Sequence, residues 1–579
     1  MLAGPIIRRR PLADEPDQLP TDLHPVLRRI YLSRGITRPG QLDLGLAGLQ
    51  PPNQFNGMAL AAARVAEAVQ SRQKILIVAD FDADGATGAA LAVRALRAMG
   101  CTQVTYLVPD RFEFGYGLSE PLVHSIPGPG PDLLITVDNG ISSIRGVAAA
   151  AERGIPVIIT DHHVPGDQLP AAQAIVNPNL PGDPFPSKNL AGVGVMFYLL
   201  LNVRKCLRDA GWFSSRPEPN LASLLDLVAL GTVADLVALD HNNRILVAQG
   251  LERIRRGACV TGIQALLHVS DRHFGRAQAA DLGYAVGPRL NAAGRLKDIS
   301  VGIECLLTDD LDQAKELAGQ LDTLNRQRQQ MQSRMQDEAL QIVSDMLAEL
   351  SGSDLPTGLC LYRPDWHQGV VGLVASRIKD AVHRPVIALA PEQDGADLLK
   401  GSARSIRGVH IRDVLAALDA SQPGLMASFG GHAMAAGLAI KRDRLDQFGS
   451  AFCATLEQFV SADQLTGVIE TDGELAGSDI NLDFTRTLNA AGPWGQHCPE
   501  PLFEGRFAVL EQRVVGDKHL KMQVQPEAGG DPVDAIAFNQ LPERLQDGAA
   551  AQRFIYRLDE NVFRGRHSLQ LIIEHIASH

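Results

Sequence analysis

Three carboxylates stand within a few residues at the end of an apolar segment. In the stretch KILIVADFDADGATGAALAVRAL, which begins at Lys74, they are Asp80, Asp82 and Asp84. Like charges at a turn repel one another and raise each other's pKa, so the arrangement costs free energy unless something offsets it. Bound divalent cations would offset it, whereas helix capping or exposure to solvent would explain a single acid without a metal.

Two further apolar segments end in acids in the same way. DLLITVDNG carries Asp138, and IPVIITDHH carries Asp161 followed by His162 and His163. Ligands of a parallel sheet bind beyond the carboxyl ends of its strands, so these side chains are expected to converge in one crevice. In GTVADLVAL, Asp235 lies among apolar residues, where a metal or a helix cap would satisfy it. Carboxylates with one or two imidazoles suit Mn²⁺ or Mg²⁺ better than a thiolate-preferring metal.

The segments that must position these acids alternate between strands and helices. Strands are expected at KILIVAD, QVTYLVPD, DLLITVDNG and IPVIITDHH, and helices at GAALAVRALRAMG and SSIRGVAAAAERG. Near-continuous apolar strands separated by helices predict an α/β domain whose parallel sheet is covered on both faces.

The rest of the chain predicts a long helix, a second α/β domain and a β-barrel. No proline occurs between Pro288 and Pro356, and apolar residues at helical spacing there predict a helix about 60 Å long that joins two domains. Alternating strands after about residue 466 favour a small antiparallel barrel of the OB type. The expected parts are an N-terminal arm (1–55), a catalytic α/β domain (56–307), the connecting helix (308–352), a substrate-binding α/β domain (353–462) and the barrel (463–579).

Composition limits the location and the partners of the protein. The chain has 579 residues, of which 45% are hydrophobic and 21% charged, so several globular domains are expected. Its seven cysteines form no CxxC pair, its N-terminus has no signal-like segment, and no apolar run is long enough to cross a bilayer. These features predict a cytoplasmic protein without a membrane partner. With a net charge of -12, any contact with nucleic acid must come from local basic groups.

The motifs taken together resemble those of one superfamily. DFDADG, VDNG, TDHH and GTVADLV are similar to successive motifs of the DHH phosphoesterases. GPRLNAAGR, GSARS and GGHAMAAG narrow the resemblance to the RecJ family of bacterial single-strand-specific 5′→3′ DNA exonucleases. The resemblance covers the chain from about residue 50 onwards. It implies a DHH catalytic domain, a DHHA1 domain beyond the long helix, and an OB-like domain that binds nucleic acid.

The resemblance also implies roles for the acids and histidines. Two cations, Mn²⁺ or Mg²⁺, would share Asp138 as a bridging ligand. The other ligands of the first cation would be Asp84, His162 and Asp235, and those of the second would be Asp80 and Asp82. His163 would contact the scissile phosphate, with a supporting hydrogen bond as the alternative role. The cations would lower the pKa of a water that attacks phosphorus, so that nucleoside 5′-monophosphates are released.

Later motifs resemble those with which the family binds the DNA backbone. Small residues would let a phosphate approach and arginines would bind it, although each arginine alone could instead form a structural ion pair. The candidate substrate-binding residues are Arg111, Arg289, Asn291, Arg295, Ser402, Arg404 and His432. Within this set, the turn GSARS predicts a site for a terminal 5′ phosphate.

The predicted substrate is therefore single-stranded DNA with a 5′ phosphate. The resemblance implies a role in DNA repair and recombination, with a single-strand-binding protein and a RecQ-type helicase as partners. In the barrel, basic residues on alternating strands would bind the strand, and Phe538, Tyr556 and Phe563 are the candidates for base stacking or core packing.

Two other interpretations remain open at this point. A phosphodiesterase for short oligonucleotides or cyclic dinucleotides, or a pyrophosphatase, could use the same fold, but its small substrate would need no long helix and no barrel. A catalytically inactive DNA-binding scaffold could keep the architecture, but it would not need the full set of acids and histidines.

Overall fold

The computed structural model describes residues 5–110, 113–349, 355–392, 397–516, 518–540, 542, 545 and 551–577. Up to residue 307 it alternates strands and helices, as the sequence predicts. The strands of this part are β1 (Ile6–Arg9), β2 (Ile75–Ala79), β3 (Val104–Leu107), β4 (Leu133–Val137), β5 (Val157–Thr160) and β6 (Ala174–Val176). The helices are α1 (Pro25–Leu32), α2 (Met58–Gln70), α3 (Ala83–Ala98), α4 (Glu120–Ser125), α5 (Ile144–Glu152), α6 (Gly192–Asp209), α7 (Leu225–Ala234), α8 (His241–Arg255), α9 (Thr261–Val269), α10 (Ala279–Asp281), α11 (Gly287–Leu296) and α12 (Ser300–Leu307).

A five-stranded parallel sheet forms the centre of this first domain. Its order is β3-β2-β4-β5-β6, and every neighbouring pair is parallel. All residues of β2, β4 and β5 are buried, which explains why these strands are apolar on both faces. The predicted α/β fold with a covered parallel sheet is confirmed.

A single helix connects this domain to the next one. Helix α13 (Leu311–Glu349) has 39 residues and is therefore about 60 Å long. Leu321 and Leu324 pack into the core of the first domain, whereas Met335 and Val343 pack into the core of the second. The first half of the helix therefore packs against the first domain and the second half against the second domain, so the helix joins them as the sequence predicts. Within the ranges described above, no helix is both long and apolar enough to span a membrane.

The second α/β domain is built on a mixed sheet. Its order is β10-β11-β9-β8-β7, in which β7 and β8 are parallel and the other neighbours are antiparallel. The strands are β7 (Leu359–Tyr362), β8 (Val386–Pro391), β9 (Leu398–Arg404), β10 (Met426–Gly431) and β11 (Ala435–Lys441). The helices are α14 (Val371–Val382), α15 (Ile411–Ser421) and α16 (Leu445–Leu456).

A closed five-stranded barrel ends the chain, as the sequence predicts. It has the order β13-β14-β15-β17-β16, and the prediction of an antiparallel barrel is wrong for one pair, since β15 and β17 are parallel. The elements of this region are β12 (Val468–Thr471), α17 (Leu482–Ala490), β13 (Phe503–Val515), β14 (His519–Pro526), β15 (Val533–Ala537), β16 (Gln552–Phe563) and β17 (Arg566–Ala577). Its buried apolar side chains are continuous with the core of the first domain, so the barrel is not a detachable unit.

The N-terminal segment is fixed to the chain that leads into the barrel. Strand β1 pairs in parallel with β12, from Ile6 opposite Val468 to Arg9 opposite Thr471. Further along, Arg34 and Asp472 form a fully buried ion pair with an N–O distance of 2.7 Å. The region that the sequence predicts as an arm is therefore bound, by strand pairing and by a buried ion pair, to the segment that precedes the barrel.

Candidate metal centre and DNA-binding cleft

Three acids follow the central strands at one edge of the first sheet. Ala79 pairs with Val137 and Val137 pairs with Thr160, so β2, β4 and β5 end level with one another. The acids that come next in the chain are Asp80, Asp138 and Asp161. Strand register is thus the physical cause of the convergence that the sequence predicts.

The loop after β2 is held by its own acidic side chains. Asp82 caps α3, because its carboxylate accepts hydrogen bonds from the amides of Asp84 and Gly85 at 2.9 and 3.0 Å. Asp84 in turn accepts from the amides of Gly192 at 2.6 Å and Val193 at 2.9 Å, in the first turn of α6. Capping therefore explains part of the role of both acids. Each carboxylate nevertheless keeps oxygen lone pairs that a cation can use.

Asp138 occupies an unusual backbone conformation at the centre of the site. Its φ is 62°, in the left-handed region, and its side chain is buried. A Cβ atom on Gly192 would lie 2.5 Å from the Cβ of Asp138, so glycine is needed for α6 to approach this closely. Aspartate and asparagine tolerate this conformation better than most residues. Such strain is typical of functional positions.

His162 and Asp235 complete the buried side of the cluster. The Nε2 atom of His162 lies 3.1 Å from Oδ1 of Asp138 and 3.4 Å from Oδ2 of Asp235. Asp235 is the C-cap residue of α7, so a helix end brings it to the sheet edge. The backbone carbonyl of His162 accepts a hydrogen bond from Asn179 at 2.6 Å, which fixes this segment.

Asp161 supports the histidines instead of facing the other acids. Its Oδ2 accepts from the amide of Ile141 at 2.9 Å, and its Oδ1 accepts from the amide of His162 at 2.7 Å. Oδ1 also lies 2.7 Å from Nδ1 of His163 and so orients that ring. The hydroxyl of Tyr116, 3.2 Å from the same Nδ1, is a neighbour that sequence reasoning missed. The only signal for Tyr116 is its position between glycines in FGYG.

Burial and mutual repulsion dominate the electrostatics of the cluster. Burial, followed by the charge of a neighbouring aspartate, raises the pKa of Asp84 to about 7. The same two causes raise the pKa values of Asp138 and Asp235 well above the usual range. Burial, helped by the charge of His163, lowers the pKa of His162 to about 4. His162 is therefore neutral near pH 7, which is the form that binds a metal.

Three groups of side chains in the described part of the chain are close enough to hold cations. Within each group, one ligand atom per residue lies within 4.8 Å of the others. The groups are Asp80 with Asp82 and Asp138, Asp84 with His162 and Asp235, and Asp138 with His162 and His163. Oδ1 of Asp138 and Nε2 of His162 are buried without a hydrogen-bond partner, a cost that a cation would remove. Oxygen donors with imidazole fit Mn²⁺ and Mg²⁺.

This electrostatic strain predicts a pH-dependent stabilisation by metal. Carboxyl groups with raised pKa values stabilise the metal-free fold when protonated, and that contribution is lost as pH rises through their folded-state pKa. The metal-free melting temperature should fall between about pH 5 and about pH 8, because unfolded Asp has a pKa of about 3.9. Saturating Mn²⁺ should restore about 2.7 kcal/mol at a hundredfold excess over Kd, and more at high pH because protons compete less.

Differential scanning calorimetry with and without Mn²⁺ at the two pH values measures this effect. Asp226 is the matched control, because Asp226 is also buried and its pKa is also raised, but it lies outside the three groups. Asp226→Asn should keep the Mn²⁺-induced shift. A shift that is equal at both pH values, or larger in acid, would contradict the prediction.

The second α/β domain faces the metal centre across a narrow cleft. The ring of His432 lies 6.3 Å from that of His163 and is nearly parallel to it. In the same domain, Arg404 donates from Nη1 to the hydroxyl of Ser402 at 2.7 Å. A Cβ atom on Gly372, at the start of α14, would lie 2.7 Å from Nη2 of Arg404 and 2.9 Å from that hydroxyl. These polar groups therefore stand beside a helix N-terminus, where an anion is favoured.

Three of the remaining predicted DNA contacts lie on α11, which contacts α3, α13 and the second α/β domain. The amide oxygen of Asn291 accepts a hydrogen bond at 2.8 Å from the backbone amide of Ala83, the first residue of α3. Arg289 donates at 3.0 Å to Asp322 of α13, so it is held in an ion pair. Arg295 donates at 3.2 Å to a backbone carbonyl of the second α/β domain. Arg111 lies outside the described residues.

Family comparisons agree with this architecture along the chain. The model of the DHH family, N-terminal domain, matches residues 74–232, that of the DHHA1 domain matches 356–460, and that of the RecJ OB domain matches 471–575. The sheet-edge cluster therefore lies in a domain of the DHH phosphoesterase class.

Relatives and solved structures narrow this class to one family. The chain is 53% identical to a single-stranded-DNA-specific exonuclease RecJ from Dickeya dadantii and 51% identical to that of Escherichia coli, and each match covers 98% of both chains. A crystal structure of RecJ from Thermus thermophilus in complex with Mn²⁺ is 29% identical, with a TM-score of 0.77, and the match covers 99% of this chain and 80% of the other. The corresponding Mg²⁺ complex has a TM-score of 0.73 at 27% identity and covers 99% and 78%. The chain belongs to the RecJ family.

Proposed function

We propose that this protein is a metal-dependent exonuclease that degrades single-stranded DNA from the 5′ end and releases 5′-mononucleotides in DNA repair and recombination. One observation carries the proposal: the cation-binding groups that share Asp138 face His432 of the second α/β domain at close range. The centroids of the His163 and His432 rings lie 6.3 Å apart, so a duplex, whose major groove alone is about 12 Å wide, does not fit between the two domains at this point.

The metal ligands follow the groups of side chains at the sheet edge. Asp84, Asp138, His162 and Asp235 would hold one cation, and Asp80, Asp82 and Asp138 would hold the other. Divalent cations bound there lower the pKa of water and offset negative charge on a phosphate. The chain contributes the spacing of the ligands, which strand register and the Gly192 contact fix.

His163 is positioned to bind the phosphate that is cleaved. Burial opposes its protonation, but the hydrogen bond and charge of Asp161 outweigh this and raise the pKa of His163. A positively charged imidazole at the edge of the metal centre can donate a hydrogen bond to a phosphate oxygen. The ring of His432 faces it from the other wall of the cleft. Asp161 thus acts by orienting and charging His163.

The other predicted contacts with the strand differ in what they can bind. Ser402 and Arg404 would bind the 5′ phosphate, and Arg295 reaches the same domain from α11. Asn291 positions the start of α3, between Asp82 and Asp84, since it accepts a hydrogen bond from the backbone amide of Ala83. Arg289 is held by Asp322 and is the weaker candidate for a phosphate contact, whereas Arg111 stays a candidate from its motif alone.

A degradation assay on labelled strands tests the proposed function. Single-stranded DNA labelled at its 3′ end should shorten progressively with Mn²⁺ or Mg²⁺, while the same strand in a blunt duplex stays intact. A label at the 5′ end should appear at once as a mononucleotide. Release of mononucleotides from the 3′ end, or equal degradation of the duplex, would contradict the proposal.

Among the three candidate aromatic residues of the barrel, Phe538 is the one exposed in the described part of the chain, and the side chain of Phe563 lies outside that part. Phe538 is 49% exposed beside His519, whereas Tyr556 is buried in the barrel core. Phe538→Ala should weaken binding of a long single strand by about 1–3 kcal/mol, the usual effect of losing one stacked base. Phe538→Trp should retain affinity. Fluorescence anisotropy measures both, and equal affinity of the alanine variant would show that Phe538 makes no stacking contact.

The setting of this activity follows from its substrate. We infer that the protein works in the cytoplasm on strands with a 5′ phosphate, without a membrane partner. An enzyme confined to single strands needs a RecQ-type helicase to expose them and meets them covered by a single-strand-binding protein. A pull-down of the full chain with each purified protein tests these two contacts separately.

A further inference from the structure

A cluster of arginines lies where the second α/β domain, the N-terminal strand and the barrel meet. Arg8 lies in β1 and Arg10 is the residue just after it, and their side chains lie on the same side because alternate residues of an extended chain do so. Both contact Glu470 of β12, with N–O distances of 2.7 Å and 3.0 Å. Arg407, in the turn after β9, lies 3.5 Å from the same carboxylate. These four residues are called the arginine cluster below.

The arginine cluster carries more positive charge than its carboxylate can balance. Three guanidinium groups share Glu470, and the neighbouring Asp472 is paired with Arg34 and lies 3.9 Å from Arg10. Burial lowers the pKa of Arg10, and the charges of Arg34 and Arg407 act in the same direction against those of Asp472 and Glu470. Four arginines thus surround two carboxylates, and this local excess of positive charge can attract an anion even on a chain of net charge -12.

Two of the arginines are free to reach such an anion. The side chain of Arg407 is 86% exposed and that of Arg8 is 56% exposed, whereas that of Arg10 is only 17% exposed. Arg10 is therefore the structural partner of Glu470. Arg8 and Arg407 can turn their donors outward without leaving that carboxylate unpaired.

The position of the cluster connects the cleft with the barrel. Arg407 follows β9, the strand that carries Ser402 and Arg404. The turn that contains Arg407 is held by a hydrogen bond of 3.1 Å, which Gln464, in the segment before β12, donates to the backbone carbonyl of Gly408. On the other side, the amide of Asp472, just after β12, donates at 2.6 Å to the carbonyl of Leu502, just before the first barrel strand β13. The cluster therefore lies between the strand that carries Ser402 and Arg404 and the start of the barrel.

We propose that the arginine cluster binds backbone phosphates of single-stranded DNA between the cleft and the barrel. This inference rests on the proposed function, since the anion is the substrate itself. It gives the N-terminal strand a role in substrate binding that the motifs of the sequence do not indicate. The contacts are to phosphates, so they add affinity for strands long enough to reach the cluster and add no sequence preference.

The double variant Arg8→Gln with Arg407→Gln tests the proposal in the full-length protein. Arg10 remains to pair Glu470, so the fold is spared. At low salt, Kd for a strand of about 30 nucleotides should rise about five- to tenfold relative to Kd for a strand of about three nucleotides. Because two phosphate contacts are lost, the slope of log Kd against log salt should fall by about 1.4.

Two single variants serve as controls with opposite expectations. Arg9 lies on the other face of β1 and pairs with Glu504 at 2.9 Å, so Arg9→Gln removes the same charge from the same strand. It should change the affinity for the long strand less than about twofold. Glu470→Gln removes the competing carboxylate and should tighten binding of the long strand, with the melting temperature measured in parallel.

The outcomes distinguish this inference from the function on which it rests. If the salt slope is unchanged in the double variant, or if affinity falls equally for long and short strands, the arginine cluster is not a DNA-binding site. Degradation of single-stranded DNA by the wild type would still support the proposed function. If the double variant binds DNA normally but no longer binds polyglutamate, the cluster binds an acidic protein, and the proposal is also overturned. A wild-type chain that binds no single strand overturns both.

Discussion

Asp138→Asn should lose nearly all nuclease activity while the protein stays folded. Asp138 is shared by two of the cation-binding groups, and its Oδ1, like Nε2 of His162, is buried without a hydrogen-bond partner. Asparagine keeps the size of the side chain and tolerates the observed φ of 62°, so the substitution removes charge without breaking the backbone. Loss of a bridging ligand affects both cations, and kcat should fall by at least about a thousandfold.

Turnover and metal affinity have to be measured together for this variant. Steady-state degradation of single-stranded DNA gives kcat, and Mn²⁺ titration followed by calorimetry gives the affinity. The metal-free variant should melt no lower than the wild type, because one of several repelling carboxylates is gone. Near-normal turnover, or unchanged Mn²⁺ affinity, would rule out Asp138 as the shared ligand. Asp226→Asn, which changes a buried acid elsewhere, should retain activity.

The metal centre was predictable from sequence because it depends on local order and on one general rule of parallel sheets. Apolar strands followed directly by acids place those acids at one edge, and the register of β2, β4 and β5 does this. The long helix was equally predictable, since an uninterrupted helical pattern without proline defines it. The helix is encoded within one segment of the chain, and each acid of the metal centre is marked by its own segment.

Features that depend on contacts between distant parts of the chain could not be predicted from the sequence in this way. Whether Arg289 grips DNA or pairs with Asp322 depends on how α11 packs against α13, and its sequence motif is compatible with either. The pairing of β1 with β12 joins segments more than four hundred residues apart, and nothing in IIRR identifies its partner. Asp161 and Asp138 both follow buried strands, yet only the folded loop shows that Asp161 serves His163.

The metal centre alone does not explain why degradation would start at a 5′ end. Two cations can cleave a phosphodiester bond from either side, so direction has to come from the group that holds the terminal nucleotide. A terminal phosphate carries more charge than an internal one and requires several donors. Ser402, Arg404 and the start of α14 supply such donors, and Gly372 leaves them the space. Arg295 approaches the same region from α11.

Arg404→Ala should therefore slow the degradation of 5′-phosphorylated strands far more than that of 5′-hydroxyl strands. Losing one charge-assisted contact costs about 1.5–3 kcal/mol, which corresponds to a decrease in kcat/KM of about ten- to more than a hundredfold. On a strand with a 5′ hydroxyl the partner of the guanidinium is already absent, so the defect should shrink. Gly372→Ala should give a similar but smaller pattern, because its Cβ would displace Arg404.

Measuring kcat/KM for wild type and Arg404→Ala on both kinds of strand completes a double-mutant cycle. The coupling free energy isolates the contact between the guanidinium and the terminal phosphate from any general damage to the cleft. Phe538→Ala is the matched control, because it weakens binding of long strands through the barrel and should show no coupling to the terminal phosphate. If Arg404→Ala loses equal activity on the two substrates, Arg404 binds another part of the strand. The 5′→3′ direction would then have to arise from the path between the cleft and the barrel, since the metal centre imposes none.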